Sequence, residues 1–142
     1  MSGQPIMLGN AYSADCPTRL VLDRIGDKWA VLILILLARR AERFSSLRRQ
    51  IEGISQKMLS QTLKSLERDG LVSRAAFATV PVTVEYSITP LGETLAATVD
   101  QVRLWADRYI GAVQAAQRAY DAGGGASDSI APFISRSAQV GR

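Results

Sequence analysis

The chain has 142 residues, 47% of them hydrophobic, which is enough for one domain-sized core. It contains one cysteine and no histidine, which excludes Cys/His zinc sites, Cys-His dyads and Ser-His-Asp triads; we expect neither an enzyme nor a metal or cofactor site. The formal net charge is +4, but residues 28–74 hold ten Lys or Arg and four Asp or Glu, which favours a polyanionic partner.

The N-terminal part of the chain predicts an arm followed by two helices. Residues 1–15 form the predicted arm, and they lack the basic region and long apolar run of a signal peptide, so we expect a cytoplasmic, nucleoid-associated protein. Pro17 at the first position and Gly26 at the end predict a helix between them. The apolar run 29–38 is far shorter than the ~20 residues of a membrane span, so it predicts a central core helix and no membrane partner.

Cys16 precedes the first predicted helix, at the N-cap position. Free N–H groups and the helix dipole stabilise a thiolate there, and Arg19 lies one turn away, although the neighbouring Asp15 opposes the effect. Oxidation would give a mixed disulfide with a small thiol or a disulfide with the same cysteine of a second subunit. Cys16 is therefore a candidate sensor of a small electrophile or oxidant, and the alternative is a half-buried cap residue without a signalling role.

Two short helices are predicted next. Phe44, Leu47 and Ile51 form the apolar face of the first, behind the candidate cap Ser45, and Gly53 provides the turn that follows. The second helix is predicted over 55–69, from the N-cap Ser55 to a stop at Gly70. Its apolar face consists of Leu59, Thr62, Leu63 and Leu66, with Met58 beside them. Two short helices joined by a glycine turn predict a helix-turn-helix.

The opposite face of the second helix carries no carboxylate before Glu67. Amide, hydroxyl and ammonium groups at a helix N-terminus can contact base edges and phosphates. The candidate base or groove contacts, together with the cap residue, are Ser55, Gln56, Lys57, Ser60 and Gln61. The candidate phosphate contacts are Arg43, Arg48, Arg49, Lys64 and Arg74. The alternative is an ordinary amphipathic helix with a solvated basic face.

A hairpin and a long helix complete the pattern. The runs 71–77 and 82–88 around Pro81 predict two strands, which would form a wing after a recognition helix. Thr89 is a candidate cap for a helix that opens at Pro90 and ends near Tyr120. A seven-residue repeat in this helix predicts a dimerisation seam formed by Leu95, Val99, Val102, Ala106, Tyr109, Val113 and Ala116. The alternative is a long helix lying along its own domain.

Several motifs together resemble one protein family. They are Cys16-Pro17, Asp23-Arg-Ile-Gly-Asp-Lys-Trp29, Arg43-Phe44, Gly53-Ile-Ser-Gln-Lys-Met-Leu-Ser60, Asp69-Gly-Leu-Val72 and Val84-Glu-Tyr-Ser-Ile-Thr89. In this order and spacing the segment 16–105 is similar to the HxlR-type transcriptional regulators. The resemblance implies a dimeric bacterial winged helix-turn-helix protein that binds operator DNA, usually as a repressor and sometimes as an activator. It also implies that the cysteine can sense electrophiles or oxidants, as in some relatives.

The chain departs from the family pattern at two places. Asp27 stands where a second glycine is common, and Val82-Thr83 replace the usual Pro-Arg of the wing tip. The second change removes a minor-groove or phosphate contact, so it weakens the expected contribution of the wing to DNA binding.

The predicted fold class is mainly α with a small β-hairpin. A winged helix-turn-helix domain (16–89) is followed by a C-terminal dimerisation helix (90–120) and a flexible or loosely docked tail (121–142). The expected function is sequence-specific binding of double-stranded operator DNA by a homodimer, on an inverted repeat whose half-sites lie ~34 Å or a multiple apart. The alternatives are a non-specific architectural DNA-binding protein and a winged-helix module that binds other proteins.

Overall fold

The structure is a computed structural model, and it describes residues 11–123. The elements in chain order are α1 (Pro17–Ile25), α2 (Lys28–Arg39), β1 (Glu42–Arg43), α3 (Phe44–Gln50), α4 (Gln56–Arg68), β2 (Val72–Phe77), β3 (Thr83–Ile88) and α5 (Pro90–Asp121). The predicted class, mainly helical with a small antiparallel hairpin, is confirmed. Most of the predicted arm and of the predicted tail lies outside the described residues.

Two predicted helix caps are present. The Ser55 hydroxyl accepts a hydrogen bond from the Met58 N–H at 3.0 Å, so α4 starts where its sequence indicates. The Thr89 hydroxyl accepts from the Gly92 N–H, also at 3.0 Å, at the start of α5. Local capping chemistry therefore sets the first turn of both helices.

The starts of α2 and α3 depend on residues that the sequence analysis did not propose as caps. Asp27, the departure from the family glycine, is the N-cap of α2, and its carboxylate accepts from the Trp29 N–H at 3.0 Å. The predicted cap Ser45 is wrong: α3 begins at Phe44, its N-cap is Arg43, and no side chain caps it. Because β1 pairs in the sheet up to Arg43, α3 follows directly, and its N-cap lies two residues before the predicted one.

The core lies between α2, α3, α4 and the sheet. Helix α2 buries Ala30, Ile33, Leu34 and Leu37, as expected of a central helix. Helix α4 buries the four residues predicted for its apolar face, Leu59, Thr62, Leu63 and Leu66. The Thr62 hydroxyl donates to the Met58 carbonyl at 2.7 Å, so its polar atom is satisfied inside the core. Helix α1, in contrast, has no buried residue.

The sheet has three strands in the order β1-β3-β2, all antiparallel. The two predicted strands are present, but β1 was not expected because two residues are too few to show strand periodicity. In β1, Glu42 is buried, and its carboxylate accepts from the Gln50 amide at 2.7 Å and the Ser46 hydroxyl at 2.9 Å. The hydrogen bond from Gln50 lowers the pKa of Glu42 despite the opposing effect of burial. Glu42 thus ties the strand to α3.

The chain divides into two compact units between Asp100 and Gln101. The first unit contains the helix-turn-helix, the sheet and the beginning of α5. The part of the second unit within the described residues is the remainder of α5, followed by Gly123 at φ +90°.

Gly92 marks a close approach between α5 and the start of β2. A Cβ atom at this position would lie 2.1 Å from the Leu71 carbonyl oxygen and 2.7 Å from the Ile88 side chain. The same carbonyl accepts from the Thr89 N–H at 3.1 Å, so the residue before α5 is hydrogen-bonded to the residue before β2. The Leu71 backbone on one side and the Ile88 side chain on the other leave little room for a side chain at this position.

We therefore predict opposite effects for two Gly→Ala changes in α5. Gly92→Ala should lower the free energy of unfolding by about 3 kcal/mol because of the clash with backbone. Gly111→Ala, where nothing lies within 4 Å, should raise it by about 0.5–1 kcal/mol through helix propensity. Urea unfolding of both variants checks this, and equal stability of the two would show that α5 does not approach β2 as described.

Candidate nucleic-acid interface

The helix-turn-helix consists of α3, a turn containing Gly53, and α4. Gly53 adopts φ +88°, a conformation that L side chains rarely take, so glycine is needed for the turn between the helices. The buried leucines of α4 leave its other face in solvent. On that face Gln56, Lys57, Gln61 and Lys64 are exposed, and Ser60 is half-buried. The structure therefore presents these predicted groups on one accessible helix surface.

Ser55 differs from the other candidate contacts because its hydroxyl is already used. It accepts the capping hydrogen bond from Met58, and its side chain is exposed. Its oxygen can still donate a proton, but its position is set by the cap. Ser55 is thus best described as the residue that fixes the N-terminus of α4, where N–H groups favour an anion.

A cleft of about 490 Å³ lies between α3 and the N-terminus of α4. It is lined by Phe44, Ser45, Arg48, Arg49 and Gln56. The Arg48 guanidinium donates to the Gln56 side-chain oxygen at 3.5 Å, which leaves the Gln56 amide nitrogen able to donate elsewhere. The cleft thereby combines two cations, an amide donor and a helix N-terminus, a set of groups suited to phosphate and base edges.

The two predicted contacts in the sheet are not brought together. Arg43 lies opposite Glu85 on β3, whereas Arg74 lies opposite the next residue, Tyr86. Because side chains alternate between the two sides of a strand, these arginines belong to opposite faces of the sheet. Both are exposed, but Arg43 has an acidic cross-strand neighbour that partly offsets its charge.

The tip of the wing carries no charge between Phe77 and Val84. Val80 and Val82 are exposed, and the Thr79 hydroxyl donates to the Pro81 carbonyl at 2.7 Å inside the loop. The structure thus offers apolar groups and backbone at the tip where the family pattern has an arginine. The tip therefore has no cationic side chain between Phe77 and Val84 that could pair with a phosphate.

Cys16 is the N-cap of α1, as predicted, and is half-buried. Burial alone would raise the pKa of its thiol, but the Thr18 and Arg19 N–H groups and the Thr18 side chain favour the thiolate, and the net result is a lowered pKa. The Cys16 side chain makes no capping hydrogen bond to α1. The charged form of this half-buried thiol is therefore stabilised.

An ion pair at the other end of α1 was not anticipated from the sequence. The Arg24 guanidinium donates to the carboxylate of Asp69, the C-cap residue of α4. Gly70 follows at φ +77°, with its N–H bonded to the Glu67 carbonyl and the Leu71 N–H bonded to the Leu66 carbonyl, each at 3.0 Å. A carboxylate at a helix C-terminus was the one available signal, since the helix dipole disfavours it there.

The predicted seam residues fall into two groups. Val99 is only 1% exposed and Leu95 packs against the core, so both are used inside the folded chain and the seam cannot include Val99. Beyond Asp100, Val102 and Val113 are exposed, while Ala106 and Tyr109 are half-buried. The sequence repeat did not separate these groups because intrachain packing and a helix-helix seam share the same spacing.

Residues 11–123 can also be compared with the requirements of a metal site and of a membrane span. No group of three or more His, Cys, Asp or Glu residues there could hold a metal ion. Among the same residues, no helix combines the length and apolar character that crossing a bilayer requires.

An amphipathic helix held by its leucines, with its polar face free and a hairpin after it, defines a helix-turn-helix protein of the winged class. The chain belongs to the HxlR-like helix-turn-helix family, whose model matches residues 24–114. It is thus an HTH-type transcriptional regulator, and the resemblance found in its motifs is confirmed.

Individual relatives agree with this assignment. The uncharacterised HTH-type transcriptional regulator YtfH of Escherichia coli is 46% identical over 102 residues, which cover 72% of this chain and 81% of YtfH. The structure of ytfH from Salmonella typhimurium has a TM-score of 0.72 and 44% identity, covering 78% of this chain and 97% of that one. The oxidised form of the redox regulator HypR has a TM-score of 0.62 and 39% identity, covering 66% and 96% respectively.

Proposed function

We propose that the protein is a sequence-specific repressor that binds an inverted-repeat operator as a homodimer, with α4 of each subunit in the major groove. The observation that carries the proposal is the exposed face of α4. It has amides, hydroxyls and lysines at its N-terminal end and no carboxylate before Glu67. This role would place the protein with the nucleoid in the cytoplasm.

The exposed groups divide by chemistry into two roles. Gln56 and Gln61 carry donors and an acceptor on planar amides, which suits hydrogen bonding to base edges. Lys57 and Ser60 lie on the same face of α4 and complete the proposed groove contacts. Arg48, Arg49 and Lys64 are exposed cations near this face, and Arg43 and Arg74 are exposed in the sheet. Cations of this kind bind phosphates regardless of sequence, so they supply affinity more than specificity.

Two single substitutions on α4 separate these roles. Lys64→Ala should weaken binding to every duplex alike and reduce the slope of log affinity against log salt by about one ion. Gln61→Ala should cost about 1–3 kcal/mol on the operator while leaving random duplex unaffected. Fluorescence anisotropy with a duplex selected by the wild-type protein from a random library measures both.

Glu67→Gln is the control on the same helix, since it changes one exposed charge outside the proposed contact set. If Lys64→Ala and Gln61→Ala both reduced operator and random binding equally, the assigned face of α4 would be incorrect. Equal affinity of the wild-type protein for all duplexes would instead favour the architectural, non-specific function.

The proposed homodimer is supported by apolar surface that the single chain leaves open. On α1, Leu20, Val21 and Leu22 are exposed. On α5 beyond Asp100, large apolar side chains are also exposed, namely Val102, Leu104, Trp105, Ile110 and Val113. Exposed apolar helix surfaces of this kind mark contact sites for another protein. Sedimentation equilibrium should give twice the chain mass of 15.4 kDa, and a monomer at micromolar concentration would contradict the dimer.

We also propose that modification of Cys16 changes operator affinity. The lowered pKa of the thiol increases the thiolate fraction at neutral pH, and the position at the N-cap of α1 keeps it within reach of small reagents. HypR, to which the chain is similar, is a redox regulator. Since the chain has one cysteine, diamide would take two electrons and two protons from Cys16 and a second thiol, either a small thiol or Cys16 of the other subunit.

Cys16→Ser tests this switch. The variant should bind operator DNA like the reduced wild-type protein, because serine preserves the size and cap position, and it should lose any response to diamide or methylglyoxal. The measurement is operator affinity before and after treatment, with intact mass confirming the adduct on the wild type. A variant that responds as the wild type does would remove Cys16 from the mechanism.

A further inference from the structure

The ion pair between Arg24 and Asp69 joins two elements whose positions matter for DNA binding. Arg24 lies in the last turn of α1, and Asp69 is the C-cap of α4, 45 residues later. Their side chains are 25% and 13% exposed, so the pair is partly shielded from water. An ion pair in this setting is screened less than one on the open surface.

Two observations argue that the pair has a role beyond general stability. Asp69 sits at the negative end of the α4 dipole, where a carboxylate is unfavourable unless a cation neutralises it. Helix α1 packs against α2 but has no fully buried residue, so a polar contact in its last turn matters more for its position than it would for a core helix. The ion pair between Arg24 and Asp69 lies outside the core, so its main effect is on the orientation of α1 relative to α4.

Because α4 is a straight rod, a change of angle at its C-terminal end displaces its N-terminal end. Gln56 to Gln61, the proposed base contacts, occupy the opposite end of a helix of 13 residues, which is about 20 Å long. A tilt of roughly ten degrees about one end would move the other by about 3 Å, as long as a hydrogen bond itself. Base contacts through short amides tolerate such a shift poorly, whereas long Lys and Arg side chains can still follow phosphates.

We propose that Arg24 and Asp69 are positioning residues for operator recognition: their ion pair holds the C-terminal end of α4 to α1 and so sets the angle at which α4 presents its base contacts. The inference rests on the proposed function of α4 and adds to it the residues that orient the helix. It assigns no direct DNA contact to either residue.

The test compares binding to the selected operator duplex with binding to random duplex. Arg24→Gln and Asp69→Asn should each reduce operator affinity about fivefold, with random-duplex affinity changed by less than about twofold. Arg24→Gln removes a positive charge and Asp69→Asn a negative one, so a common loss cannot come from the change in net charge. The double variant should lose no more than either single variant, because both remove the same interaction.

Two further variants complete the design. Arg19→Gln makes the same charge change on the same helix and should leave the operator preference intact. The exchanged pair Arg24→Glu with Asp69→Arg should recover most of the lost preference. Thermal unfolding checks that every variant is folded. If Arg24→Gln is unstable, Asp69→Asn still tests the inference, because it also removes an unfavourable charge at the helix end.

If the wild-type protein prefers the operator and both Arg24→Gln and Asp69→Asn keep that preference, this inference is wrong but the proposed function stands. Equal losses on operator and random duplex would also overturn it, since they would indicate a general electrostatic or folding effect. A wild-type protein without operator preference would overturn the proposed function and this inference together.

Discussion

Burial of the leucines of α4 is the constraint on which the rest of the molecule depends. Leu59, Leu63 and Leu66 are all at most 1% exposed, and each contributes about 1.5–3 kcal/mol when removed from water. This burial fixes which side of α4 faces the core and therefore which side is left for a ligand. Because the leucine face of α4 is buried in the core, the polar side chains on its opposite face are held in solvent.

Other features of the fold act on the same helix. Ser55 and Gly53 set where it starts, Gly70 ends it, and the ion pair of Asp69 connects its last turn to α1. Helix α1 in turn has Cys16 at its N-cap and Arg24 in its last turn. One short helix, without any buried side chain, thus lies between a thiol of lowered pKa and the end of the proposed recognition helix.

What the sequence predicted well was local. Caps such as Ser55 and Thr89, the stop at Gly70 and the two faces of α4 follow from chemistry between residues a few positions apart, and the structure contains all of them. The exposure of the predicted α4 contacts followed from the same periodicity. The two strand-like runs around Pro81 likewise predicted the hairpin, and the structure contains it as β2 and β3.

What the sequence could not predict depends on contacts between distant segments. Strand β1 exists because Glu42 and Arg43 pair with β3, more than 40 residues later, and this pairing displaced the start of α3. Asp69 at a helix C-terminus indicates the need for a cation, but its partner Arg24 is identified only by the fold, since it lies 45 residues away. Val99 shares the spacing of a seam, and only three-dimensional packing shows that it is buried.

Sequence-specific recognition by α4 is tested most directly by competition at physiological salt. The wild-type protein is bound to labelled duplex DNA from upstream of its own gene and titrated with random duplex. If α4 recognises an operator there, random duplex should compete at least about 10³-fold less well than the unlabelled upstream duplex, the ratio typical of specific regulators. Equal competition by both duplexes would contradict an operator at that site, and equal competition on library-selected DNA as well would contradict sequence-specific recognition by α4.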